Sequence, residues 1–256
     1  MQHTASIIPF SPEDRILLIG EADLSFTRSL ISHHSCTNVT ATVLEKSLEE
    51  LEEKYPYVQE NIAEIEKLEG KIQYGVDVTK MGAWTKLEVK EKVGIMDKIV
   101  FNFPHVGGKS TDVNRQVRYN QGMDSMGDVC IIANHLFVEL LVSFFKRTML
   151  SLAPGGSIVV TLFEGEPYTL WNIRDLARHS GLQVERSFKF QASAYPGYHH
   201  ARTLGVVKSK TGQVGGGWKG EDRPARSYIF IRRGEEPQIH YSKRKRDETS
   251  SDDEGD

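Results

Sequence analysis

Cysteine is scarce in this chain. The 256 residues include only Cys36 and Cys130. Two cysteines in dissimilar segments are too few for a disulfide framework, and they do not form a thiolate set for zinc. We therefore expect a protein of a reducing, intracellular compartment that holds no metal.

Long uninterrupted hydrophobic runs are also missing. Residues 1–10 lack the charged start and the apolar stretch of a secretory signal. The most apolar segment, residues 129–152, contains polar and charged side chains that a membrane span would not tolerate: Asn134, His135, Glu139, Lys146 and Arg147. The sequence therefore predicts neither export nor a membrane partner.

Enough apolar sequence is present for one sizeable core. With 39% hydrophobic residues, we predict a single folded domain at 13–236, preceded by an N-terminal extension at 1–12 and followed by a tail at 237–256. In that tail, the basic residues 243–246 precede an acidic stretch with serines and no apolar side chain. We expect the tail to be disordered, and its basic tetrapeptide is typical of a nuclear-import signal.

The net charge of -3 conceals an uneven distribution. Residues 45–69 are rich in glutamate, whereas lysine and arginine recur through residues 186–233. A polyanion such as RNA would prefer the second region. An ordinary solvated face is the alternative interpretation of either region.

Strand and helix patterns alternate along the chain. Short apolar, β-branched runs predict strands, and apolar positions at helical spacing predict the segments between them. The predicted strands are 15–19, 38–44, 71–76, 98–103, 157–162, 183–191 and 227–232, and the predicted helices include 24–31, 129–144 and 171–179. This order predicts an α/β protein with a seven-stranded, doubly wound, mostly parallel sheet that ends in an antiparallel edge hairpin.

The first strand-to-helix turn lacks the Gly-x-Gly-x-x-Gly pattern of dinucleotide sites. It reads Gly20-Glu21-Ala22-Asp23, and its two carboxylates would repel a pyrophosphate. A cationic sulfonium ligand with an amino group fits them better. Ligands bind beyond the carboxyl ends of parallel strands, where Glu45 suits ribose hydroxyls and Asp77 suits an adenine amino group.

The fourth predicted strand runs into Asn102-Phe103-Pro104-His105. This turn places an amide, an aromatic ring and an imidazole where a substrate would meet a cofactor. The alternative is structural, with Phe103 in the core, Pro104 shaping a loop and His105 a bystander.

These motifs resemble one family, the fungal 25S (large-subunit) rRNA (uridine-N3) methyltransferases with their plant and animal relatives. The similar segments are 16–26, 74–79, 99–108, 114–121, 154–171 and 195–203, and the most telling are residues 101–105 and Tyr-Pro-Gly-Tyr at 195–198. The family pattern at the first turn is Gly-Glu-Gly-Asp-Phe-Ser-Phe. Ala22 and Leu24 depart from it.

The resemblance implies a Rossmann-like class I methyltransferase sheet, S-adenosylmethionine as methyl donor, and N3 of a uridine in large-subunit rRNA or a pre-ribosomal particle as acceptor. It also implies a nuclear, nucleolar location. The implied cofactor residues are Gly20, Glu21, Ala22, Asp23, Phe26, Glu45, Asp77, Val78, Asn102 and Phe103. The implied catalytic residues are Asn102, Pro104 and His105, and the implied RNA contacts are Arg115, Arg118, Tyr195, Tyr198, His199 and Arg202.

Roles within that set follow from the chemistry of the imide. N3 of uridine carries a proton and takes part in pairing, so the base must be exposed and deprotonated. We expect Asn102 to hydrogen-bond the base edge, Phe103 or Tyr198 to stack on the ring, and His105 to assist proton removal.

Two other functions remain open at this stage. A non-catalytic RNA-binding or ribosome-assembly factor could retain the fold without turnover, and Ala22 is the residue that favours it. A nicotinamide oxidoreductase would share the architecture but lacks the glycine fingerprint. The sequence does not indicate the oligomeric state.

Overall fold

A computed structural model describes residues 7–88, 91–105, 126–166, 168–202, 205 and 220–236, with the backbone alone over 126–135. The helices are α1 (Ser25–His34), α2 (Leu48–Lys54), α3 (Val58–Lys67), α4 (Met126–Thr148) and α5 (Ile173–His179). The strands are β1 (Arg15–Leu18), β2 (Asn38–Thr42), β3 (Lys71–Gln73), β4 (Thr85–Glu88), β5 (Glu91–Gly94), β6 (Met96–Asn102), β7 (Leu152–Phe163), β8 (Leu182–Lys189) and β9 (Ala225–Arg232).

Seven of these strands form one sheet in the order β3-β2-β1-β6-β7-β9-β8. Neighbours from β3 to β7 pair in parallel, and β9 pairs antiparallel with both β7 and β8. The predicted α/β class with a mostly parallel seven-stranded sheet and an antiparallel pair at its edge is therefore confirmed. The structure adds that β9 alone runs against the other strands and lies one place in from the edge.

Both faces of the sheet are covered by apolar side chains. Along β1, Ile16 and Leu18 pack into one core cluster with α1 and α3, while Leu17 packs into a second cluster with α4 and α5. Successive strand residues point to opposite faces, so a strand buried on both sides needs an apolar residue at each position. The carboxyl ends of β1, β2 and β6 lie at one edge of this sandwich, because these strands are parallel neighbours.

Three features differ from the predicted elements. The antiparallel hairpin of β4 and β5 was not predicted, because its residues are mostly charged and exposed. Strand β7 begins at Leu152 rather than at residue 157, and the predicted turn at 154–156 lies within it. A Cβ on Gly94 would lie 2.3 Å from the Leu152 carbonyl oxygen, so the backbones of β5 and β7 approach too closely there for a side chain.

The predicted N-terminal extension is described from residue 7, and Ile8 and Phe10 pack against the core. The Phe10 ring lies edge-on to Phe26, with 6.3 Å between centroids. In the part of the chain that the structure describes, no helix has the length and apolar character needed to cross a membrane.

Candidate cofactor and acceptor site

A cavity of about 450 Å³ opens at the carboxyl edge of the sheet. It joins segments that are far apart in sequence: the turn after β1, the turn after β6, the end of β7, and the chain that follows β8. Its lining residues are Gly20, Glu21, Ala22, Asp23, Phe26, Asn102, Phe103, Pro104, His105, Leu162, Phe163, Tyr168, Tyr198, His199, His200, Ala201, Arg202 and Arg223.

The turn after β1 is tight and requires glycine at its first position. Gly20 has a φ of 64°, and a Cβ there would meet the Phe101 ring at 3.0 Å. The Gly20 N–H donates to Thr42 Oγ1 at 3.3 Å, and the Glu21 N–H donates to the Thr42 carbonyl at 2.9 Å. These bonds fix the turn against β2.

Ala22 does not occupy the left-handed region, which in this turn is adopted by Gly20 and by Leu24 at a φ of 62°. The alanine therefore imposes no backbone strain at position 22. The departure from the family pattern at Ala22 leaves the turn geometry intact, and the sequence argument for a non-catalytic protein loses its basis.

Two carboxylates line the cavity beside this turn, of which Asp23 is buried and Glu21 half-buried. Glu21 Oε2 accepts hydrogen bonds from the Thr27 N–H at 3.2 Å and from Thr27 Oγ1 at 3.0 Å, and burial raises the pKa of Glu21 to about 7. Asp23 Oδ1 accepts from Ser25 N–H and Oγ, and burial raises the pKa of Asp23 too. Asp23 Oδ2 is buried and has no hydrogen-bond partner among the described residues. A ligand with cationic and N–H groups would satisfy these atoms, so the residues fit S-adenosylmethionine.

A second cavity, of about 630 Å³, lies beyond the ends of β2 and β3 and includes Asp77. Asp77 Oδ1 accepts from Thr79 Oγ1 and N–H at 2.7 and 2.9 Å, and these bonds lower the pKa of Asp77. Leu44 also lines this cavity and is 52% exposed, which leaves an apolar surface for a flat ring. The cavity therefore suits the adenine end of the cofactor.

Glu45 and Val78 were predicted as cofactor contacts but line neither cavity as the structure stands. The Glu45 carboxylate forms an ion pair with Lys54 of α2. Val78 is 7% exposed and packs in the core cluster that contains α4. Of these two residues, only Glu45 has a polar side chain that can bind a ligand.

The turn after β6 presents Asn102 to the cavity. Asn102 Nδ2 is buried and has no hydrogen-bond partner in the described part of the chain, so it is a donor without an acceptor. Phe103 has a φ of 50°, its N–H donates to the Thr161 carbonyl at 2.8 Å, and its ring lies 4.5 Å from Phe163. Pro104 is buried and His105 is exposed, and both line the cavity.

The segment after β8 closes the opposite side. The His199 N–H donates to Ser25 Oγ at 2.9 Å, and Ser25 Oγ donates to the His199 carbonyl at 3.1 Å. The Tyr198 hydroxyl lies 3.0 Å from His200 Nδ1, and burial raises the pKa of Tyr198 well above its ordinary value. His199 and Arg202 are exposed at the mouth of the cavity, as an RNA contact requires.

Tyr195 is buried and does not face RNA. It was predicted as an RNA contact, but it is 4% exposed and stacks on Phe190 with 5.5 Å between centroids. Its ring also lies 4.6 Å from Phe26, so it holds the segment against α1 rather than facing RNA. The predicted RNA contacts Arg115 and Arg118 lie outside the described residues.

Sequence reasoning did not select six residues that line the cavity. They are Leu162, Phe163, Tyr168, His200, Ala201 and Arg223. The backbone N–H of His200 donates to Glu221 Oε1 at 2.7 Å, and burial lowers the pKa of His200 to about 4, so its imidazole is neutral at neutral pH. Leu162 and Phe163 lie at the end of β7 and Arg223 lies just before β9, whereas Tyr168 follows β7 and His200 and Ala201 lie in the segment after β8. Only the order of the strands in the sheet shows that these segments meet.

Comparison with known proteins agrees with this geometry. A sequence profile of the BMT5-like family, described as rRNA (uridine-N3-)-methyltransferase BTM5-like, matches residues 17–202. The 25S rRNA (uridine(2634)-N(3))-methyltransferase of Saccharomyces cerevisiae is 29% identical over 96% of this chain and 81% of its own length. An Arabidopsis thaliana protein of uncharacterized function is 32% identical over 78% of this chain and 87% of its own.

Among solved structures, the antibiotic-resistance methyltransferase Kmr aligns with 88% of this chain and 90% of its own at 12% identity, with a TM-score of 0.44. That likeness is too low to bear on function. The family match spans most of the chain, from β1 to Arg202, and so includes the two turns that meet in the cavity. The chain belongs to the BMT5-like family of rRNA (uridine-N3-)-methyltransferases.

Proposed function

We propose that this protein transfers a methyl group from S-adenosylmethionine to N3 of a uridine in large-subunit rRNA. One observation carries the proposal: a single cavity joins the carboxylates of Glu21 and Asp23 to Asn102, whose Nδ2 has no hydrogen-bond partner among the described residues. The family assignment and the printed activity of the yeast relative support the choice of N3 of uridine as acceptor.

The residues divide between the two reactants. Glu21 and Asp23 face the cationic end of the cofactor, and Asp77 with Leu44 receives its adenine in the second cavity. When bound, the cofactor supplies an electrophilic methyl group. On the acceptor side, Asn102 Nδ2 donates to a carbonyl oxygen of the uracil ring, and Tyr198 contacts the ring.

The group that removes the proton from N3 must lie on the acceptor side of the cavity. His105 lines it and is exposed, so it can pass a proton to water. His200 is a poorer base because burial lowers its pKa to about 4. Glu21 has a pKa near 7 in the free protein but faces the cofactor, whose positive charge favours the ionised carboxylate.

The reaction is tested by incubating the full chain with S-adenosylmethionine and an in-vitro transcript of large-subunit rRNA, followed by mass spectrometry of the digested nucleosides. The proposal predicts N3-methyluridine. Calorimetry with S-adenosylmethionine is run in parallel, because absence of cofactor binding would favour the assembly-factor alternative. Cofactor binding without N3-methyluridine in the transcript would contradict the proposed acceptor.

We also propose that the protein acts on pre-ribosomal particles in the nucleolus. The sequence of the tail supports this, since residues 243–246 are Lys-Arg-Lys-Arg. The basic side chains that recur through residues 186–233 favour a polyanionic partner.

A further inference from the structure

Arg223 lies at the acceptor end of the cavity and is held there by aromatic rings. Its guanidinium carbon is 4.1 Å from the centroid of Phe163 and 5.6 Å from that of Tyr168. Within the described residues it has no ion pair, whereas Arg226 donates to Glu164 at 2.8 Å. An arginine stacked in this way keeps its N–H edge available for a planar acceptor.

Ring contacts connect Arg223 to the Asn102 turn. The Phe163 ring lies 4.5 Å from Phe103, which directly follows Asn102, and 5.0 Å from His200. The charge of Arg223 contributes to the lowered pKa of His200, after burial as the larger cause. Asn102 Nδ2 and the Arg223 guanidinium are thus two donor groups that line one cavity.

Two donors suit the imide of uracil. N3 lies between two carbonyl groups, and loss of its proton spreads negative charge over both oxygens. Fixed hydrogen-bond donors and a cation beside those oxygens favour that charge. We infer that Arg223 binds a carbonyl oxygen of the target uracil, favours the deprotonated N3, and selects uracil against cytosine, whose amino group would oppose a donor.

This inference rests on the proposed function and specifies how the acceptor is recognised. In the step, the N3–H bond breaks and the proton passes to solvent water. The N3 electron pair forms a bond to the methyl carbon, and the carbon–sulfur bond breaks with its electron pair left on sulfur. The role of Arg223 is to lower the free-energy cost of breaking the N3–H bond.

The test uses the full chain and its Arg223→Ala and Arg223→Lys variants in single-turnover methylation. Two in-vitro transcripts of large-subunit rRNA are compared, one made with uridine and one with 5-fluorouridine, whose N3–H is more acidic. Arg223→Ala should slow transfer to the uridine transcript by about 10- to 100-fold, within the range for loss of a charge-stabilising donor. The rate of methyl transfer should increase more for Arg223→Ala than for the wild type when the fluorinated transcript replaces the uridine transcript. The increase for Arg223→Lys should lie between these two.

A matched control is Arg174→Ala. Arg174 is also exposed and lies over an aromatic ring, 5.7 Å from the centroid of Tyr228. It lies outside the cavity and outside the basic residues 186–233, so its variant should keep wild-type rates on both transcripts. Calorimetry should give unchanged cofactor affinity for Arg223→Ala.

Two results would overturn the role of Arg223. One is a full rate for Arg223→Ala, and the other is an equal loss on both transcripts, which would indicate a structural role alone. If the wild type methylates N3 on neither transcript, the proposed function itself fails, and this inference fails with it.

Discussion

At the scale of single residues, two carboxylates decide what the first turn binds. Asp23 is buried and Glu21 half-buried, neither forms an ion pair with another described residue, and burial raises the pKa of each. The free protein therefore carries an electrostatic cost that a cationic ligand removes. The preference of this turn for a sulfonium over a phosphate was predictable from residue type, because a carboxyl group is either anionic or neutral and in neither form attracts a phosphate through its charge.

The pKa of Glu21 gives a pH dependence to cofactor binding. In the free protein this pKa is raised to about 7, so Glu21 is protonated below that pH and ionised above it. A cationic ligand prefers the ionised form, and binding must then release a proton at low pH. We predict that affinity for S-adenosylmethionine, measured by calorimetry, falls as pH is lowered from about 7.5 to about 5.5, by up to about tenfold per pH unit.

The matched variant for this prediction is Glu21→Gln, which should bind more weakly and lose the dependence on pH. The amino group of S-adenosylmethionine titrates equally in both measurements, so comparing the wild type with Glu21→Gln removes its contribution to the pH dependence. Asp97→Asn changes a carboxylate paired with Arg15 at the far end of β1 and should keep the wild-type profile. A wild-type affinity that is flat over this pH range would exclude Glu21 as a contact of the cationic group.

Ala22 shows where reasoning from residue type alone went wrong. A glycine in the family pattern suggested a left-handed position, yet the left-handed residues of this turn are Gly20 and Leu24. Leu24 tolerates its φ of 62° because it is fully buried in the core at the start of α1. A sequence pattern records which residues occur, and it does not record the φ that each adopts.

At the scale of elements, the segment after β8 completes the cavity. It is fastened to α1 through Ser25 and His199, and the Tyr55 hydroxyl at the end of α2 donates to the Arg202 carbonyl at 2.8 Å. Gly205 extends this contact, because a Cβ there would lie 2.6 Å from the Lys54 carbonyl oxygen. The segment therefore depends on close backbone packing against α2.

We predict that Gly205→Ala lowers methylation of the rRNA transcript by about tenfold or more, because displacing the segment misplaces Tyr198 and His199. The control is Gly197→Ala. Both glycines have positive φ, 76° and 79°, so both substitutions strain the backbone, but nothing lies within 4 Å of a Cβ at Gly197. Steady-state kinetics and thermal unfolding of both variants separate the two effects. Equal loss of activity in the two variants would assign the effect to φ strain and would contradict the role of the contact.

Whether a segment forms a helix or a strand was predictable where one or both faces of the element are buried. The parallel strands show continuous apolar runs, and the helices show apolar residues at helical spacing, because each element buries a defined surface. The hairpin of β4 and β5 gave no such signal: Leu87 on it is 74% exposed and its neighbours are charged. The turn expected at Pro154-Gly155-Gly156 lies inside β7 as an irregularity. Gly155 has a φ of 71°, and the register between β6 and β7 shifts here, with Met96 opposite Leu152 and Lys98 opposite Ser157.

At the scale of the whole molecule, the site exists only because the sheet order places distant strand ends together. Strands β1 and β6 are separated by the sequence from residue 19 to residue 95, yet they are direct neighbours. The motifs at residues 20–23 and 102–105 were each visible in the sequence. Phe163, Tyr168 and Arg223 were not identifiable as site residues, because their contribution depends on β7 and β9 pairing beside β6.

The tail carries a prediction at the same scale. The proposed nucleolar location predicts that a fluorescent fusion of the full chain accumulates in nucleoli. Replacing Lys243, Arg244, Lys245 and Arg246 by alanine should reduce nuclear accumulation, while replacing the acidic residues Asp252, Asp253 and Glu254 should not. A fusion that stays outside the nucleus in both cases would contradict the proposed location without affecting the chemistry.

The central claim is that the cavity beside Gly20 brings the cationic end of the cofactor and the uridine together through separate residues. The most direct measurement is Asn102→Ala, assayed for S-adenosylmethionine affinity by calorimetry and for N3-methyluridine by mass spectrometry of the rRNA transcript. Because Asn102 Nδ2 has no other partner among the described residues, its removal should leave cofactor affinity close to wild type and reduce product by about 100-fold or more. Full methylation by Asn102→Ala would contradict the account.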